Sequence, residues 1–85
     1  MCSYATEKIV AEGSAKGPHG WFRVTDASVY FDHPAHALAE HTLNIDFLAP
    51  ERGPGARVAV ELTAETAEAL VAAIRVALDS ASVGS

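Results

Sequence analysis

Three of the chain's four histidines, His33, His36 and His41, lie in one short stretch, and Glu40 precedes the last of them. Imidazole nitrogens and a carboxylate are the usual donors of transition-metal sites. His33, His36 and His41 with Glu40 therefore form a candidate metal-ligand set. The ion expected is a divalent transition metal, zinc first; iron, copper and nickel suit the same donors. An ion with an open position acts as a Lewis acid or lowers the pKa of a bound water. That would suit a hydrolase, lyase or isomerase acting on a small molecule. The same residues also support metal-free acid–base chemistry through a His–carboxylate pair, with Glu40, Asp46 and Tyr30 as candidate catalytic groups. A third reading is a non-catalytic small-molecule-binding or accessory protein, with the histidines as polar lining.

The residues on either side of the stretch must position it. Ala27–His33 and His41–Phe47 both alternate apolar and polar residues, the period of a half-buried strand. Paired as an antiparallel hairpin, they predict a register in which Phe31 faces Leu43, Val29 faces Ile45 and Ala27 faces Phe47. His33 then falls opposite His41, where directly opposed Cβ atoms lie roughly 4.5–5.5 Å apart. That separation lets both imidazoles reach one ion at metal–nitrogen distances of about 2.0–2.1 Å. His36 and Glu40, in the connection, complete the set. A short helix over 34–40, with Pro34 in its first position, would also keep His36 and Glu40 on one side. The other row of the hairpin reads Ser28, Tyr30, Asp32 against Asp46, Asn44, Thr42. Its bland reading is a solvated face. Its functional reading is a polar pocket in which Asn44, Asp32 and Glu61 orient a ligand imidazole or a bound group.

The remaining elements follow from pattern. Tyr4 to Ala11 reads as a first strand. The segment 13–20, with three glycines and Pro18, reads as a loop or hairpin connection. It lacks the Gly-x4-Gly-Lys-Ser/Thr spacing of a phosphate loop, and a strand follows it rather than a helix. From Trp21 to Phe31 the apolar parity changes near Thr25–Asp26, which predicts a bulge or short turn there. Ala49 to Ala56, with Pro50, Gly53, Pro54 and Gly55, is a turn. Arg57 to Leu62 alternates as a last strand. Thr63 is a candidate N-cap for a helix over about 64–79. Ala67, Leu70, Val71, Ile74, Ala77 and Leu78 form its apolar side, and 80–85 is a frayed tail. The expected fold is one α+β domain, 1–85. It comprises an antiparallel sheet of four or five strands, with the C-terminal amphipathic helix packed on one face.

Composition narrows the function classes. Across 85 residues the formal charge is −5 and no basic cluster occurs. Nucleic acid and anionic membranes are therefore disfavoured as partners. No apolar run approaches the roughly 20 residues of a membrane span, and no signal peptide is visible. A cytoplasmic protein is expected. Cys2 is the single cysteine, so no internal disulfide forms. A core this small gains from a metal or from self-association. A single helix covers little sheet, and Trp21, Phe22 and Tyr30 add apolar surface. A homodimer through the sheet is expected, with a small molecule as a further candidate ligand. Cys2 reads as inert and His19 as solvated.

Several segments together resemble a family of short bacterial proteins of unknown function. They are Gly20-Trp21-Phe22, Asp32-His33-Pro34, His36-Ala37, Glu40-His41, Leu43-Asn44-Ile45-Asp46-Phe47 and the run from Gly53 to Leu62. The resemblance covers nearly the whole chain. It implies that the histidine stretch belongs to the family pattern, and it implies no ligand or activity.

Overall fold

The computed structural model describes residues 6–32 and 41–84. Among these residues are four strands and one long helix: β1 (Glu7–Gly17), β2 (Gly20–Asp32), β3 (Thr42–Leu48), β4 (Arg57–Leu62) and α1 (Ala64–Gly84). The strands form one antiparallel sheet in the order β1-β2-β3-β4, each paired with its neighbour in sequence. This is the expected α+β architecture, at four strands. The helix packs against the sheet on the β3–β4 side.

The β2–β3 ladder has the register that the apolar alternation demands. Phe31 faces Leu43, Val29 faces Ile45 and Ala27 faces Phe47. A slip by one residue would turn Val29, Phe31, Ile45 and Leu43 to the other side of the sheet, so the pattern allows a single solution. The β3–β4 ladder continues the same apolar row, with Leu43, Ile45 and Phe47 facing Leu62, Val60 and Val58. The opposite face carries Tyr30, Asn44 and Glu61 in one line across three strands, and Ser28, Asp46 and Ala59 in the next.

One local expectation is resolved and one is corrected. The glycine-rich segment is the hairpin connection rather than a loop: β1 runs through Gly13 to Gly17, and only Pro18 and His19 remain to make the turn into β2. Gly20 ends that turn at φ +109°, a conformation that disfavours any side chain. At Gly17 an added Cβ would stand 3.2 Å from the Phe22 ring, so a glycine here lets the aromatic lie against the strand. The bulge is real but sits in β1. The register jumps between Val10 and Gly13 while β2 advances from Asp26 to Val24, so Ala11 and Glu12 together oppose Thr25. The parity change seen in β2 is the partner's side of this irregularity.

The turn between β3 and β4 opens with a single 3-10 turn over Pro50–Arg52 and is closed by the Ala49 N–H donating to the Ala56 carbonyl at 3.1 Å. Thr63 caps α1 as expected: its Oγ1 accepts from the Thr66 N–H at 3.1 Å. The helix continues past 79 to Gly84, since Ser80, Ala81 and Ser82 bring no proline or turn signal to stop it. No helix among the described residues is long and apolar enough to cross a membrane.

Candidate functional site

The end of the β2–β3 hairpin carries the histidine stretch. Asp32 pairs with Thr42 in the last rung among the described residues, and His41 directly precedes Thr42. The His41 ring is half-buried and stacks on Phe31, with centroids 5.8 Å apart and planes 15° from parallel. Stacking of this kind fixes the ring plane of a histidine. His33, His36 and Glu40 lie outside the described residues, as does the connection over 34–40. Among the described residues no three potential metal ligands come together.

The polar row lies on the face of the sheet opposite His41. Thr42 is completely buried and Asn44 nearly so. Their side chains satisfy each other: the Thr42 hydroxyl donates to Asn44 Oδ1 at 2.7 Å. A buried polar pair of this kind is stable only when bonded, because an orphaned carbonyl loses its water without replacement. No buried side-chain nitrogen or oxygen among the described residues lacks a hydrogen-bond partner.

One rung further on, Asp46 binds two groups. Arg57 donates through Nη2 to Asp46 Oδ1 at 3.0 Å, an ion pair whose carboxylate side is 13% exposed and whose guanidinium side is 49% exposed. The Tyr30 hydroxyl donates to Asp46 Oδ2 over a longer 3.4 Å. Burial, then the negative charge of Asp46, push the Tyr30 phenol above its ordinary pKa; the Arg57 guanidinium opposes them. Tyr30 is therefore a neutral hydrogen-bond donor at physiological pH, not a base. Glu61 faces Asn44 on the same side of the sheet, half-buried.

The expected pocket residues Tyr30, Asn44, Asp46 and Glu61 thus share one face. Thr42 and Arg57 join them as hydrogen-bond partners, of Asn44 and Asp46. Arg57 was findable: it faces Leu48 in the β3–β4 ladder, diagonal to Asp46, a distance that a long side chain spans. Thr42 gave no such signal, because its burial depends on how the sheet is covered.

His19 sits at the other end of the molecule, in the β1–β2 turn. The 13 residues of β2 separate it from the histidine stretch by roughly 40 Å. There it lines a cleft of about 230 Å³ with Trp21, Phe22 and Arg52.

A family model of unknown function, DUF6295, matches residues 1–85, the whole of the chain. The protein belongs to that family. No curated protein and no solved structure matches it. For this DUF6295 member the geometry of the hairpin end is therefore the ground on which a function is argued.

Proposed function

We propose that this protein is a small metal-binding protein, its ion held at the end of the β2–β3 hairpin by His33, His36 and His41, with Glu40 as a fourth ligand. The observation that carries this reading is the ladder register. It runs without interruption from Asp26–Leu48 to Asp32–Thr42. One further rung would set His33 beside His41, and His41 already has its ring plane fixed against Phe31. A ring held in advance loses little freedom when it takes a metal. The donor set suits zinc best, with iron, copper and nickel as alternatives.

In this reading the polar row, on the opposite face of the sheet from His41, supports the hairpin rather than lining the site. The Thr42–Asn44 bond stiffens the strand directly after His41. Asp46 is held by Arg57 and Tyr30, so its role is to position the phenol. A bound ion would supply Lewis-acid chemistry to a small molecule on the Phe31–Leu43 face of the hairpin, where His41 lies. The engagement of Asp46 by two partners also favours a second reading, a non-catalytic protein that binds a small molecule or ion without turning it over.

The test is the metal content of untagged protein purified without chelator, before and after adding back zinc, iron, copper and nickel. About one ion per chain is expected, lost in His33→Ala and His41→Ala and retained in His19→Ala. Less than about 0.1 ion per chain under every condition refutes the reading.

A further inference from the structure

Strand lengths create a gap at one end of the sheet. β2 runs for 13 residues and β3 for 7. Their ladder stops at Asp26–Leu48, so residues 20–25 of β2 project beyond it with β1 alone as a strand partner. The other edge of such a segment presents backbone N–H and C=O groups that the ladder does not use. Among the described residues, no backbone hydrogen bond joins 20–25 to the turn over 49–56. That turn instead meets the hairpin at its tip, where a Cβ added to Gly55 would stand 4.0 Å from the His19 ring. The cleft of about 230 Å³ lies between the two turns. A second cleft of about 520 Å³ adjoins it, and Trp21, Phe22 and Arg52 line both.

The side chains around these clefts share one chemistry. Trp21 is the chain's single tryptophan and is 71% exposed. Lys16 stands directly opposite it on β1, and Arg23 follows two residues along β2, so both share its face of the sheet. With Arg52 they are three of the chain's six lysines and arginines, gathered at one end of a protein of net charge −5. Among the described residues no carboxylate pairs with Lys16, Arg23 or Arg52. An unpaired guanidinium beside an open indole offers one kind of ligand two contacts at once. A flat ring stacks on the indole, and an acidic group takes the guanidinium fork. The same three charges repel a cation. They suit one anionic group rather than the run of phosphates of a nucleic acid.

We propose that the cleft between the β1–β2 hairpin end and the 49–56 turn binds a small aromatic anion, its ring on Trp21 and its carboxylate or phosphate on Arg52. Lys16 and Arg23 attract the anion over a longer range. This site stands at the far end of β2 from the histidine stretch and is independent of the metal reading.

Trp21 reports on its own site, because its indole N–H is the single tryptophan signal in the proton–nitrogen correlation spectrum of the full chain. The probes are 2-naphthoate and AMP. At least one should shift that signal saturably with a submillimolar Kd; 2-naphthoate alone assigns the site to carboxylates, AMP alone to phosphates, and both to either group. The neutral rings 2-naphthamide and adenosine should bind weaker by about tenfold or more, as should the ring-free anions cyclohexanecarboxylate and inorganic phosphate. Arg52→Gln should weaken the effective probe by about tenfold and leave its neutral counterpart unchanged. The Arg52 side chain is exposed and bonds no described residue, so the fold is kept. Arg75→Gln, on α1, should change nothing. Calorimetry, which does not need the indole signal, should show binding lost in Trp21→Leu. The proposal is overturned if neither probe shifts the Trp21 signal at millimolar concentration, if a probe stripped of its charge or its ring binds as tightly, or if Arg52→Gln binds the effective probe as well as Arg75→Gln does.

Discussion

Thr42→Val is the substitution whose outcome the structure constrains most sharply. Valine matches threonine in shape and is more apolar, so packing alone predicts no loss, or a gain. The structure predicts a loss. Thr42 is fully buried, and its hydroxyl is the donor to Asn44 Oδ1 at 2.7 Å; Asn44 is only 5% exposed. Removing the hydroxyl leaves that carbonyl oxygen buried without its donor, at a cost of about 1–3 kcal/mol. For a domain of this length each kcal/mol moves Tm by about 4–8 °C, so a fall of about 5–20 °C is expected. Thr42→Ser keeps the donor and loses one methyl group, which costs roughly 1 kcal/mol. Thermal denaturation followed by circular dichroism should rank wild type above serine and serine above valine. Pairing Thr42→Val with Asn44→Leu should cost less than the sum of the two single changes, because no polar group is then left alone. A valine variant as stable as wild type, or more stable than serine, would refute the argument and remove the stiffening attributed to this pair.

The phenol of Tyr30 offers a test by titration. Asp46→Asn should lower its pKa toward 10 and Arg57→Gln should raise it further, both read from phenolate absorbance in a Tyr4→Phe background. Because the folded-state value lies above the unfolded one, Tyr30 stabilises the fold below pH ~10 and that contribution fades as pH rises through the folded pKa; a loss of stability above pH ~10 that is shallower in Asp46→Asn than in wild type checks the sign. Gly20→Ala meets nothing within 4 Å but must hold φ +109°, so a loss of about 1–3 kcal/mol in urea denaturation is expected from backbone strain alone. Thr63→Ala removes the cap on the Thr66 N–H and should cost about 1 kcal/mol by the same assay.

How far the sequence was legible depends on the kind of signal. The β2–β3 register was legible because period-two alternation admits one solution, and Phe31–Leu43, Val29–Ile45 and Ala27–Phe47 pair accordingly. The cap at Thr63 was legible because it is a local hydrogen bond. The bulge was seen in the wrong strand. A bulge belongs to a strand pair, and the parity change in β2 records only that something opposite Thr25 is irregular. The glycines from 13 to 17 read as a loop because their intrinsic preference is against strands; pairing with Trp21–Val24 overrides it, and at Gly17 a side chain would crowd the Phe22 ring. Arg57–Asp46 needed two registers at once, β2–β3 to choose the face and β3–β4 to place the arginine diagonal to the aspartate. The exposed surface of α1 was not legible, since an amphipathic pattern predicts a buried side without saying how much of it the sheet covers.

The histidine stretch remains the centre of the functional account, and one measurement addresses it directly. Metal bound per chain should be counted by elemental analysis in wild type, His41→Ala, His33→Ala and His19→Ala, each loaded with zinc and then dialysed. The account predicts about one ion in wild type and His19→Ala, and close to none in the other two. Equal retention in all four proteins, or none in wild type, would contradict it.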